Sequence, residues 1–449
     1  MVYWRKYSMT RKMKDSGVEW IGEIPEDWSI VKLKSVLSMQ MQYGANESGE
    51  TFNQDEPRYI RITDIQDNNR LKEEGKLSLS MDKARAFLLD DEDLLFARSG
   101  ATVGKTFLFS RELGMSAFAG YLIRAKFNSK VVPKYIYYYT LSTSYDEWKN
   151  MIFIQATIQN IGANKYSNME ISIPSKIEQE KVVDYLDKKC TKIDQTRDKE
   201  KQVIEKLKEY KQSVITEAVT KGLNPNVKLK DSGVEWIGEI PEDWQCVKLK
   251  LKVNTTKGYA FKADIFQEKG IPLVKASDIK NRTVVKSNVF IKSEFKELYS
   301  NVELSTNDIL ISTVGSTPEV INSAVGQIAL VPKELNKSLL NQNVVKIVPN
   351  DDVYYLYLFY FLSTHSFRKY LDLIAHGTAN QASLTLKDML EYMITLPTIS
   401  KQKEIADYLD KKCSSIDKLI SYKEKVIKKL TEYKKSLIYE CVTGKREVQ

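Results

Sequence analysis

Two long stretches of this chain carry an apolar residue at every seventh position. Leu186, Ile193, Leu207 and Val214 mark the first; Leu409, Ile416, Leu430 and Leu437 mark the second. A heptad spacing keeps one apolar seam turned toward a partner helix, so each stretch is predicted to be a long helix. The middle rung of each seam is charged, Glu200 in one and Lys423 in the other. Each stretch begins after a proline, Pro174 or Pro397. Gly222 followed by Pro225 stops the first, and Gly444 stops the second. Ser175 with Glu178 fits a capping box, whereas Thr398 with Lys401 lacks its reciprocal half. At a rise of 1.5 Å per residue, about 45 residues make a helix on the order of 65 Å long. The simplest arrangement pairs the two helices antiparallel. Packing of each helix on its own domain, or on another chain, is the alternative.

The pattern between the helices is different. Val247, Leu249, Leu251 and Val253 alternate with polar residues and predict a strand, with Val31 and Leu33 at matching places earlier in the chain. Two apolar runs ending in polar turns also recur. YIRITDI (Tyr59–Ile65) answers to PLVKASDI (Pro272–Ile279), and DLLFARSG (Asp93–Gly100) answers to DILISTVG (Asp308–Gly315). The aromatic segments Tyr135–Tyr139 and Tyr354–Phe361, with LST at Leu141–Thr143 and Leu362–Thr364, read as buried helices. Short strands mixed with short helices make each interior α+β.

The correspondence is a duplication. KDSGVEWIGEIPEDW occurs letter for letter at Lys14–Trp28 and Lys230–Trp244, and DYLDKKC at Asp184–Cys190 and Asp407–Cys413. A period near half the chain is far too long for a solenoid and denotes two copies of a domain. The predicted organisation is a first domain over 1–174, a helix over 175–222, a second domain over 223–397 and a helix over 398–449. The predicted fold is α+β: two duplicated domains joined by two long antiparallel, coiled-coil-like helices with pseudo-two-fold symmetry. Residues 1–13 read as a flexible basic extension, and the head as a folded loop.

Composition narrows the chemistry. The net charge of +9 permits a polyanionic partner without requiring one. No run of 18 apolar residues appears, so no membrane span is predicted. Four cysteines without C-x2-C spacing and only two histidines, His365 and His376, argue against zinc and disulfides, which suits the cytoplasm. SGATVGKT (Ser99–Thr106) has three residues between its glycines where a phosphate loop needs four. The chain carries no serine elbow, no H-E-x-x-H and no methyltransferase motif. Heads and tails that match while interiors differ suit like partners docked on two unlike readers. Asp64 and Asp278 either accept from cytosine amino groups or cap a turn, and the cap is the simpler role.

Taken together, GVEWIGEIPEDW in duplicate, the paired strand-turn motifs and the Pro174, Glu178, Gln179 helix opening resemble the DNA specificity subunits of type I restriction–modification systems. Copy two departs from the pattern in having Lys401 before Gln402 and no Arg-Ser-Gly turn. The resemblance covers nearly the whole chain and implies a subunit without catalysis of its own. Each interior would be a target recognition domain reading half of a split, asymmetric site in double-stranded DNA, with the helices as the ruler between halves. Two methyltransferase subunits would bring S-adenosylmethionine and methylate adenine. Motor-nuclease subunits, where the system has them, would use ATP and magnesium. The candidate DNA contacts are Arg61, Thr63, Arg98, Ser99 and Lys105 in copy one, and Lys275, Ser277, Thr313 and Ser316 in copy two. The candidate docking and spacer residues are Trp20, Trp28, Trp236, Trp244, Leu186, Ile193, Leu207, Leu409, Ile416 and Leu430. No metal site and no cofactor bound by this chain are expected.

Overall fold

The heptad stretches are helical along their length. In a computed structural model that describes residues 11–67, 69–154, 159–280, 282–285, 287–315, 325–378 and 381–448, the long helices run Lys176–Lys221 and Ile399–Val442. The chain divides into two compact units, one of residues 1–202 and 423–449, the other of residues 203–422. Each unit therefore owns half of each helix.

The halves pair within their units. In the first unit Lys434 Nζ donates to Asp194 Oδ2 at 2.5 Å, and Lys423 Nζ lies 2.9 Å from Glu200 Oε2. Numbers rise along one helix as they fall along the other, so the two run antiparallel. In the second unit Lys211 Nζ meets Asp417 Oδ2 at 2.5 Å. Leu186, Ile193 and Leu437 are buried in the first unit, and Val214, Leu409 and Ile416 in the second. Each such side chain taken from water contributes about 1.5–3 kcal/mol. Leu207 and Leu430, each seven residues from a charged rung, are only half-buried.

The interiors are mixed sheets backed by short helices. In the first unit a sheet runs in the order Gln42–Tyr43, Leu122–Ala125, Leu94–Ala97, Thr106–Leu108. Arg58–Ile60 pairs in parallel with Ser116–Phe118. In the second unit Val344–Pro349 lies between Val253–Lys257 and Ile309–Ser312, and Ile271–Val274 pairs in parallel with Leu339–Leu340. The aromatic segments are helices, Pro133–Tyr139 and Tyr355–Leu362, with Tyr135–Tyr139 and Tyr357–Leu362 buried.

Buried polar contacts fasten each interior to a long-helix end. Tyr135 OH donates to Val442 O at 3.0 Å, and Ser172 Oγ to the same oxygen at 2.6 Å. Tyr357 OH donates to Val219 O at 3.1 Å, and Thr395 Oγ1 to the same oxygen at 2.6 Å. Both carbonyls lie in the last turn of a helix, where no intrahelical donor remains. At the helix starts, Gln179 Oε1 accepts from Val132 N (2.8 Å) and Gln402 Oε1 from Tyr354 N (2.7 Å). Each glutamine is fully buried and also donates to the carbonyl of the preceding proline, Pro174 or Pro397.

Three local expectations are corrected. The head is a hairpin rather than a loop: Met13–Asp15 pairs with Glu23–Pro25, and Leu229–Asp231 with Glu239–Pro241. Strands of three residues are too short to display a period. The run from Val247 to Val253 is two strands broken by a 3-10 turn at Leu249–Leu251. Its first part pairs with Met393–Leu396 and its second with Val344–Pro349, so the chain must bend between two sheets and leaves Leu251 exposed. The capping box is half made. Glu178 N–H donates to Ser175 Oγ at 3.4 Å, but the Glu178 carboxylate accepts from Arg11 Nη1 (2.5 Å) and Trp28 Nε1 (3.1 Å) instead. Arg11 thus ties part of the predicted extension down, while residues 1–10 lie outside the described residues.

Candidate nucleic-acid interface

In the first unit three segments converge where strands end. The chain leaves Ile60 into a turn, leaves Ala97 into Arg98–Gly100, and passes between them at Ala119–Tyr121. Ala119 N–H donates to Ile60 O (3.0 Å), and Arg98 N–H to Tyr121 O (3.0 Å). The second unit repeats this: Asn341 N–H donates to Val274 O (2.9 Å), and Thr313 N–H to Asn343 O (2.9 Å). A fourth segment closes each side, with Ile161 N–H donating to Arg98 O and Leu384 N–H to Thr313 O, both at 2.9 Å. The two apolar-run motifs therefore end side by side in each copy, on equivalent scaffolds with different side chains.

Arg98 is the outstanding residue of the first cluster. Its guanidinium carbon lies 4.9 Å from the Tyr43 ring centroid, and its Nε is buried without a hydrogen-bond partner among the described residues. Next to it Ser99 forms a bridge with Asn160, whose buried Oδ1 is likewise without a partner among those residues. Tyr43 and Tyr121, 42% and 61% exposed, complete a surface of one cation, one amide, one hydroxyl and two aromatic rings. Such a set can reach phosphates, base edges and base faces.

The other expected contacts fall differently. Arg61 is committed: its Nε and Nη2 donate to the Asp64 carboxylate at 3.0 and 2.8 Å, and Nη2 also to Gly75 O at 2.9 Å. Asp64 also accepts from Arg61 N–H, and Asp278 accepts from Lys275 N–H at 2.9 Å. Both aspartates are buried and cap their turns. Thr63 and Ser277 are exposed at the tips of those turns, with Lys275 half-buried beside Ser277. Lys105 pairs with Asp67 at 3.1 Å, which brings the two turns of the first unit together. Gly100 and Gly104 both take positive φ, 78° and 82°, so the turn in SGATVGKT is built on two glycines in the left-handed region. Thr313 is buried, with its hydroxyl donating to Asn343 O at 3.2 Å, and Ser316 lies outside the described residues.

Sequence reasoning missed Tyr43, Tyr121, Asn160, Tyr259 and Asn343. A signal existed in QYGA and KGYA, where Gly44 and Gly258 sit at equivalent places. A side-chain carbon on Gly44 would lie 2.4 Å from Ala119 O, and one on Gly258 2.0 Å from Asn341 O. Only glycine admits that approach, which sets the aromatic beside it at the rim.

The four tryptophans expected at docking surfaces divide into two kinds. Trp28 and Trp244 are 1% and 2% exposed and pack inside their units. A side-chain carbon on Gly444 would come within 3.2 Å of the Trp28 ring, and one on Gly222 within 3.2 Å of Trp244. These indoles seat long-helix ends and offer no free surface. Trp20 is half-buried. Trp236 is 41% exposed and stacks on Tyr392 at 5.6 Å.

Among the described residues no group of three or more His, Cys, Asp or Glu side chains could hold a metal ion. No helix among them is long and apolar enough to cross a membrane.

Comparison with known proteins agrees with this architecture. The family described as the type I restriction modification DNA specificity domain matches residues 25–206 and 241–432. The chain is 25% identical over 368 residues to the type I restriction enzyme MjaVIII specificity subunit of Methanocaldococcus jannaschii, covering 81% of each chain. A solved structure from work on complex assembly and conformational transition of the type I R-M system shares the fold, with a TM-score of 0.70 at 15% identity, covering 94% of this chain and 99% of the other. The HsdS subunit from Thermoanaerobacter tengcongensis aligns with a TM-score of 0.50 at 15% identity, over 94% and 98% of the two chains. Two family matches, spanning both copies of an α+β unit with its long helices, show that this chain belongs to the DNA specificity subunits of type I restriction–modification systems.

Proposed function

We propose that this chain reads a bipartite, asymmetric site in double-stranded DNA, one half with each copy. Residues 1–174 and 223–397 act as the two target recognition domains, and residues 175–222 and 398–449 as the spacer helices that fix the distance between half-sites. The strand-end cluster around Arg98, Ser99, Asn160, Tyr43 and Tyr121 reads the first half. The equivalent cluster around Lys275, Ser277, Tyr259 and Asn343 reads the second, with Thr313 buried and bonded to Asn343 O as its support. The convergence of the strand-end segments in each copy, with the Arg98 guanidinium against the exposed Tyr43 ring in the first, carries this reading, because a guanidinium and aromatic faces can engage phosphates and bases. Unlike residues on like scaffolds fit two different half-sequences. The net charge of +9 suits the polyanion.

The duplicated heads and helix openings dock two methyltransferase subunits, which bring S-adenosylmethionine and methylate an adenine in each half-site. Motor-nuclease subunits, where present, use ATP and magnesium. The complex works in the cytoplasm. The test is methylation by the chain together with its cognate methyltransferase, followed by genome-wide mapping of methylated adenines with and without this gene. The reading predicts one split motif that disappears with the gene. An unchanged map, together with DNA binding insensitive to salt, would leave a protein-only adaptor instead.

A further inference from the structure

Position 200 and position 423 are equivalent. They stand 223 residues apart, the same step that separates Asp184 from Asp407 in the repeated DYLDKKC. The same step carries Asp194 to Asp417 and Lys211 to Lys434. The ion pair Asp194–Lys434 in the first unit and the ion pair Lys211–Asp417 in the second are thus one interaction made twice. The ion pair Glu200–Lys423 is different, because it joins a position to its own equivalent.

A position that meets itself repels if the copies are alike there, as Glu on Glu or Lys on Lys. The copies differ at this rung, and the contact is attractive. The flanking pairs carry no such information. Two first-copy helices could set Asp194 of one against Lys211 of the other as readily as in this chain. Only about a fifth to a quarter of each side chain at the middle rung is exposed (Lys423 24%, Glu200 20%), so solvent screens the pair less than a surface ion pair.

We propose that the middle rung is a pairing code: Glu200 against Lys423 selects the union of unlike copies and opposes union of like copies, whether with a second chain or between separated halves. A buried or half-buried polar rung that fixes which helices pair is an attested use of such residues. The inference rests on the helix pairing and is independent of what the recognition loops bind.

The test keeps the whole protein. A protease site is placed in the exposed linker at residues 224–226, and the folded full-length chain is cut there, so that both pieces stay present. Native mass spectrometry then resolves like from unlike pairs by mass. The cut wild type should hold almost only unlike pairs. E200Q with K423Q should raise the share of like pairs by about two- to fivefold, the square root of the change in the exchange constant when two attractive and two repulsive contacts are neutralised. E200K with K423E should restore the wild-type share. An unchanged share on neutralisation, or a reversed variant that behaves like the neutral one, overturns the proposal. Should the pieces separate on cutting, thermal unfolding of the intact chain decides through the E200Q and K423Q double-mutant cycle. Coupling between the two supports the code, and strictly additive effects refute it.

Discussion

The guanidinium of Arg98 lies over the ring of Tyr43, 4.9 Å from its centroid, at the end of a strand whose next residue bridges to Asn160. The ring packs against the cation, and among the described residues no side-chain hydrogen bond or ion pair commits the guanidinium. Arg98→Ala should therefore weaken binding of the methyltransferase complex at one half-site by about 1–3 kcal/mol, roughly ten- to a hundredfold, and leave discrimination at the other half intact. Arg98→Lys keeps the charge but loses the fork, so it should recover binding strength more than base discrimination. Binding titrations against duplexes substituted in one half-site at a time check this, and an equal loss of discrimination at both halves would be wrong for it.

Arg61 gives the opposite expectation. Its fork is spent on Asp64 and on Gly75 O. Asp64→Ala leaves Arg61 Nε and the Arg61 N–H without their acceptor, with Gly75 O alone still holding Nη2, and should cost about 1–3 kcal/mol of stability in chemical denaturation. The recognised sequence should stay the same. A changed sequence with unchanged stability would mean that Arg61 reads bases after all.

The buried glutamines at the helix openings should matter more than their polar chemistry advertises. Gln179→Leu leaves Val132 N–H without an acceptor, and Gln402→Leu does the same to Tyr354 N–H. Each should lower stability by about 1–3 kcal/mol. The melting temperature of each variant measures it, and a neutral substitution at both places would contradict the clamp.

High pH should loosen both units. Burial pushes the hydroxyls of Tyr135, Tyr139 and Tyr357 well above the ordinary tyrosine range. The folded chain keeps protons that the unfolded chain releases near pH 10. Stability is thus complete below that pH and falls above it, by up to about 1.4 kcal/mol per pH unit for each such tyrosine. Tyr357→Phe should flatten the alkaline limb while lowering stability at neutral pH, because it removes the donor to Val219 O. Denaturation midpoints from pH 8 to 11 supply the measurement.

Where the sequence was informative, it was informative through long-range regularity. The seven-residue seam foretold both long helices and set Glu200 and Lys423 at their middle rungs. It could not tell that the two charges meet, because pairing partners 223 residues apart are invisible to a local period. The short elements were harder. Three-residue strands such as Met13–Asp15 show no alternation, and the run through Leu249 and Leu251 serves two sheets at once. At the interface, residue type alone marked Arg61 and Arg98 as equals. Only the fold separates them, by giving one a carboxylate and the other an aromatic ring. Tyr43 ends a two-residue strand too short to show a period, and Tyr121 and Asn160 lie outside any motif; only the close approach of Gly44 to Ala119, which a sequence records as a single letter, hints at where Tyr43 and Tyr121 meet.

The central claim is that each copy reads its own half-site. Exchange of residues 29–174 for the equivalent stretch of a relative with a different target, followed by mapping of methylated adenines, tests it most directly. The account predicts that one half of the split motif changes while the other half and the spacer length stay as they were. A map in which both halves change, or neither does, contradicts it.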